Sequence, residues 1–170
     1  MKYDTVTMER IKLLHPKVRE AVKAAYLHAN NALLPKGVRL RFTHTLRTYA
    51  EQDALYAQGR TMPGKKVTNA RGGQSIHNYG FAFDIVILLD TDGSGRFATA
   101  SWSVDKHWLR VAEYFKSLGW TWGGDWTSFK DYPHFEKTFG HNWQSLKAKY
   151  DADDVVTETI DGEIYKWVNV

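Results

Sequence analysis

The chain has 170 residues, 43% of them apolar, which suits one domain built on one core. It contains no cysteine, so disulfide scaffolds and cysteine-ligated zinc are excluded. The net charge of +4 comes from lysines and arginines scattered along the chain, which argues against a nucleic-acid-binding stripe. No run approaches the ~20 apolar residues of a membrane-crossing helix, so no membrane insertion is expected. Met1 to Arg19 is charged and lacks an apolar core of the kind a secretory leader carries. The expectation is synthesis in a cytoplasm without a signal peptide, as a monomer.

In chain order, Thr7 to Arg10 opens a short helix. Pro16 starts a second one at the position where its missing N–H costs nothing, and this helix is predicted to run to about Leu34. Val38, Leu40, Phe42, His44 and Leu46 alternate with polar residues, a period-two strand that should point His44 inward. Thr48 to Glu51 is a capping box opening a helix to about Gln58, with Arg47 at its mouth. Residues 59–74 carry four glycines and no periodicity, and long loops of this kind are often functional. Phe81 to Leu89 is the most apolar run and reads as a buried strand, closed by the turn Asp90 to Arg96. That turn imitates the start of a calcium loop, but its twelfth position is Ser101 instead of the bidentate glutamate. A helix from about Val104 to Leu118 is amphipathic, with Trp108, Val111, Ala112, Phe115 and Leu118 on its apolar stripe and Gly119 as its stop. A short helix over about Asn142 to Tyr150 follows. Two strands flanking Asp161-Gly162 then give a strong hairpin signal. Residues 1–150 are therefore taken as the functional domain and 151–170 as a hairpin packed on it.

Two segments carry chemistry. Ser75 to Asp84 places His77 and Asp84 seven residues apart with Gly80 between them, and Asp131-Tyr132-Pro133-His134 supplies a second imidazole with a carboxylate three residues before it. A lone carboxylate in a buried strand is costly unless paired or metal-bound. Two imidazoles and one carboxylate make a common three-ligand set for a catalytic zinc with an open fourth position, and Asp131 remains free beside it. In an extended run Asp131 and His134 would fall on opposite faces, so a turn is required, and Pro133 makes one plausible. Taken singly, each residue has a plainer reading: a hydrogen-bonded core histidine, an Asp84 paired with Arg47 or Arg71, a turn aspartate at 131. The residues alone leave both readings open.

The pattern Ser-x-His-x-x-Gly-x-Ala-x-Asp followed by Asp-x-x-His resembles the zinc peptidases of bacterial cell walls. These are the VanY-type D-Ala-D-Ala carboxypeptidases and, closer, the L-alanyl-D-glutamate endopeptidases of phage endolysins. The block from Leu46 to Arg60, with Glu51-Gln52 and Leu55-Tyr56, looks like the endopeptidase branch, and Trp120 to Trp126 resembles its Gly- and Trp-rich segment. The resemblance spans roughly residues 38 to 136. It implies an α+β single domain, a small antiparallel sheet flanked by helices, similar to hedgehog and DD-peptidase folds. It further implies Zn2+ as cofactor with His77, Asp84 and His134 as ligands, Asp131 as the catalytic base, Arg47 on the scissile carbonyl or oxyanion, and Ser75 lining the substrate site. Many relatives carry glutamate where this chain has Asp131, one methylene longer. The implied activity is hydrolysis of the peptidoglycan stem peptide at the L-Ala–D-Glu bond by a phage or prophage endolysin that reaches the wall after release. The rivals are a D-Ala-D-Ala carboxypeptidase, gripping a terminal carboxylate with Lys65, Lys66 and Arg71, and a non-catalytic zinc-containing wall-binding or structural phage protein.

Overall fold

The computed structural model describes residues 1–170. Asp4 caps the first helix, α1 (Thr5–Ile11), its carboxylate accepting from the Thr7 N–H. α2 (Pro16–His28) starts at Pro16 as expected but stops six residues before Leu34. After His28 the chain widens into a π turn over Ala29–Leu33. Buried Asn30 explains the change, because its amide bridges Lys2 and Leu40 and draws the chain inward.

β1 (Val38–His44) shows the predicted alternation up to Phe42, and then a bulge shifts its register between Phe42 and His44. An extra residue in one strand reverses the alternation beyond it. Thr45 is therefore buried, while His44 turns outward with 59% of its side chain exposed, contrary to the inward position expected from alternation. α3 (Tyr49–Ala57) carries the complete Thr48–Glu51 capping box.

β2 (Ala82–Leu89) lies at the centre of the sheet, antiparallel to β1, to the short β3 (Thr99–Ser101) and to β5 (His134–Glu136). β4 (Thr121–Trp122) pairs with β5 and completes the five strands, and β3 was not foreseen from the sequence. α4 (Lys106–Ser117) is capped by Asp105 and buries Trp108, Val111, Ala112 and Phe115. Leu118, expected on that stripe, is 40% exposed because the helix ends there and the chain reverses through Gly119 at φ 91°.

Successive side chains on β2 point to opposite faces of the sheet. Phe83 enters the core, stacked on Phe42 and Phe135 and met edge-on by Phe115, while its neighbour Asp84 leaves from the other face. That alternation puts a carboxylate one residue from the centre of an aromatic core.

α5 (Trp143–Asp151) leads into the hairpin of β6 (Val155–Ile160) and β7 (Glu163–Val168). Asp161 and Gly162 both take positive φ, 50° and 85°, as a two-residue I′ turn demands. The hairpin docks on the start of α2. His15 Nε2–H donates to the Val168 carbonyl at 2.8 Å, and its Nδ1 accepts from the Lys17 N–H. The ring stacks on Phe81 with Trp167 against its edge, and Arg19 makes a two-pronged ion pair with Glu158. His15 thus joins two distant parts of the chain.

Candidate metal centre

His77 lies in a single 3-10 turn, Ile76–Tyr79, whose ends are fixed by sequence. Ser75 caps it, its Oγ accepting from the His77 N–H, and Gly80 closes it at φ 75°. Asn78 ties this turn to the segment before α3. Its Nδ2 donates to the Arg47 carbonyl at 2.7 Å, while its Oδ1 accepts from the Gly73 and Ser75 N–H groups. His77 is 3% exposed. Its Nδ1 lies 2.7 Å from the Thr45 carbonyl, an acceptor that requires a proton on Nδ1. The Nε2 lone pair consequently faces Asp84 Oδ1, 3.2 Å away.

His134 is the cross-strand neighbour of Asp84. The turn that the Asp-Tyr-Pro-His run requires is present, with the His134 N–H donating to the Asp131 carbonyl at 3.1 Å. The indole N–H groups of Trp108 and Trp122 both donate to the Tyr132 carbonyl, and the Asp131 N–H donates to Gly123. A side chain at Gly123 would collide with the Asp131 backbone, so the glycine lets the two turns touch. The Trp-rich segment is in this way the cradle of the His134 turn.

His134 Nδ1 is 3.2 Å from Asp84 Oδ1, and the donor atoms of His77, Asp84 and His134 all lie within 4.8 Å of one another. Ligands ~2.0–2.1 Å from a tetrahedral zinc are about 3.3 Å apart, so both 3.2 Å separations suit such an ion. The His77 lone pair facing a carboxylate oxygen is an acceptor against an acceptor, favourable only with a cation or a proton between them. Burial alone would raise the Asp84 carboxyl, but the two imidazoles hold it well below the usual range. Burial opposes charge on His134, yet its hydrogen bonds to Asp84 and Glu136 raise it to about 9. Such a set attracts positive charge.

Asp131 stands beside this group without joining it. Burial, and then the negative charge of Asp84, push its carboxyl above the ordinary value, while His134, His77 and Arg47 pull the other way. Arg47 Nη1 donates to Gln52 Oε1 at 3.0 Å, and its Nη2 is 4.0 Å from Asp84 Oδ2. Arg71 stacks over Tyr56 and has no contact with Asp84, which removes the second pairing considered for that carboxylate. Ser75 lines a cleft with His134, Glu136, Trp126 and Trp143. A neighbouring cleft shares Gln74, Trp126 and Trp143 and continues past Asp131 to Phe129. The groove so formed runs along the metal-ligand group. Lys65, Lys66 and Arg71 line neither cleft. The other large concavity, lined by Lys2, Arg39, Arg41, Asp90 and Phe97, lies at the opposite end of the β1–β2 pair.

Two residues at the site escaped the sequence reading. His44 Nδ1 is 3.8 Å from Asp84 Oδ2, brought there by the bulge. Glu136 Oε1 is 2.7 Å from His134 Nε2, and its spacing of two on a strand from a predicted ligand was the available signal.

The family described as D-alanyl-D-alanine carboxypeptidase matches residues 68–137, which include all three candidate ligands and Asp131. The chain is 44% identical over 131 residues to the peptidoglycan L-alanyl-D-glutamate endopeptidase CwlK of Bacillus subtilis (strain 168), covering 72% of each protein. Among solved structures, the L-Ala D-Glu endopeptidase ChiX of Serratia marcescens has the same fold. The TM-score is 0.53 at 21% identity, over 82% of this chain and 91% of that one.

Proposed function

Because this chain belongs to the peptidase family of D-alanyl-D-alanine carboxypeptidases and L-alanyl-D-glutamate endopeptidases, we propose that it is a zinc-dependent hydrolase of the peptidoglycan stem peptide, cutting at L-Ala–D-Glu. The observation that carries this reading is the buried His77–Asp84–His134 donor set with a fourth, non-ligating carboxylate, Asp131, beside it. The identity with CwlK, whose name states that bond, supports the substrate.

His77, Asp84 and His134 would hold the zinc through Nε2, a carboxylate oxygen and Nδ1. When bound, zinc supplies a Lewis acid that polarises a carbonyl and makes water more acidic. Asp131 takes the proton of the attacking water and returns it to the leaving amine. The raised affinity of its carboxyl for a proton suits that task, since a base must hold the proton it takes. Arg47, braced by Gln52, places a fixed positive charge near the carboxylate end of the site and offsets the charge that grows on the tetrahedral oxygen. Ser75 lines the cleft and keeps His77 in place through its cap. Trp126 lies over His134, ring centroids 5.4 Å apart, and forms part of the wall along which an extended peptide lies. The setting we propose is that of a phage or prophage endolysin made in the host cytoplasm and acting on the wall after release. The likeness of the Leu46–Arg60 block to that branch supports it.

Mass spectrometry of fragments from digested peptidoglycan names the bond cut. New N-terminal D-Glu is expected, whereas free D-Ala would mark a carboxypeptidase. Asp131→Asn should retain one zinc and lose nearly all hydrolysis. An Asp131→Asn protein that cleaves at close to the parent rate would sink the assignment of the base.

A further inference from the structure

His134 and Glu136 are two apart on β5, so their side chains leave the same face of the strand. Glu136 Oε1 sits 2.7 Å from His134 Nε2, while Nδ1 of the same ring looks the other way, 3.2 Å from Asp84. The Glu136 carboxylate makes no other hydrogen bond or ion pair, and its side chain is only 22% exposed. A carboxylate can only accept, so Glu136 keeps a proton on Nε2, and Nδ1 is the nitrogen left to give up its proton and meet a cation at the centre. His77 is arranged in the opposite sense, with Nδ1–H on the Thr45 carbonyl and the lone pair on Nε2. The two rings therefore face the centre through different nitrogens, each chosen by an acceptor behind it. Behind His77 that acceptor is a neutral peptide carbonyl; behind His134 it is an anion.

We propose that Glu136 is a positioning residue of the metal centre: from behind the ring it holds His134 with Nδ1 facing the centre, and its charge makes that nitrogen a stronger donor to the cation. This rests on the zinc reading above. Glu136 is not a second base, since it is engaged with the nitrogen that points away from the centre, whereas Asp131 stands on the near side. Partners of this kind behind a ligating histidine typically affect metal affinity by ~10–100-fold.

The experiment titrates Zn2+ into the parent, Glu136→Ala and Glu136→Gln against a competing chelator, with ring-nitrogen NMR on each zinc-loaded protein. The parent should bind one zinc per chain. Glu136→Ala should bind ~10–100-fold more weakly. Glu136→Gln, whose amide oxygen still accepts from Nε2–H, should lose less affinity and keep the Nε2–H tautomer of His134 in its spectrum. It also serves if the alanine variant does not fold. Zinc affinity in both variants equal to the parent's overturns the inference, as does a raised KM with unaltered zinc affinity, which would make Glu136 a substrate contact. A parent that binds no zinc overturns the underlying metal reading instead, and the two failures are distinguished by that first titration.

Discussion

Gly80 is where the metal-ligand turn meets the rest of the molecule, and replacing it with alanine tests whether the turn is held rigidly. The residue takes φ 75°, closes the His77 turn, and accepts the His15 N–H on its carbonyl. A Cβ there would lie 2.6 Å from the His15 nitrogen and 2.8 Å from a Trp167 ring carbon, with His15 Cα 3.3 Å away. The nearest obstacle is backbone and cannot swing aside. An alanine in the left-handed region costs about 1–2 kcal/mol. Forcing one extra carbon into a packed site costs about 1–3 kcal/mol more. The expected destabilisation is thus about 2–5 kcal/mol, and at about 2–4 °C per kcal/mol for a chain of this size the Tm should fall by about 4–20 °C. Thermal unfolding of the metal-free Gly80→Ala protein measures this, and a parallel zinc titration should show weakened binding, because relief of the clash moves the turn that carries His77. A Tm within about 2 °C of the parent, with zinc affinity intact, would show that the turn and hairpin yield easily and that the clamp argument is wrong.

Arg47→Ala should lower kcat by ~10²–10³, the usual cost of removing a donor to a developing oxyanion, with zinc content unchanged by elemental analysis. Loss of zinc together with activity would instead mark Arg47 as a structural partner of Asp84, 4.0 Å away. His15 should make the metal-free protein acid-sensitive. Burial is the main cause holding its pKa below the ordinary value, with Lys17 and Arg19 adding to it against Glu158, so the unfolded chain takes up the proton first. Its contribution is complete above the unfolded value of ~6.5 and is lost as pH falls towards the folded one. Denaturant midpoints at neutral and mildly acidic pH should therefore separate for the parent and converge for His15→Gln; an equal acid loss in both would exclude His15 as the cause.

Much of the architecture is legible because it is local. The apolar run of β2, the Thr48 capping box and the Asp161-Gly162 turn each specify their structure within a few residues. The need for a turn between Asp131 and His134 followed from side-chain alternation alone, and the Asp131–His134 hydrogen bond makes it. What could not be read depends on tertiary partners. The bulge in β1 leaves no mark in an alternating sequence, so His44 looked internal. Asn30 ends α2 through bonds to Lys2 and Leu40, which no helical pattern reveals. His15 finds its acceptor 153 residues away. Glu136 is two residues from His134 in sequence, but its meaning depends on which nitrogen of that ring it faces, and only the folded geometry decides that.

The docking of the hairpin also sets an order of events during synthesis. Every residue of the metal-ligand group is translated before Val155–Val168, yet Trp167 packs against Gly80, at the end of the turn that presents His77. On a ribosome adding ~5–20 residues per second, the ligand turn waits about 2–7 s after His134 for its backing to be made. During that interval the chain holds His77, Asp84 and His134 with one side of the turn open. The turn that presents His77 would in this way gain its backing only after every member of the ligand group has been made.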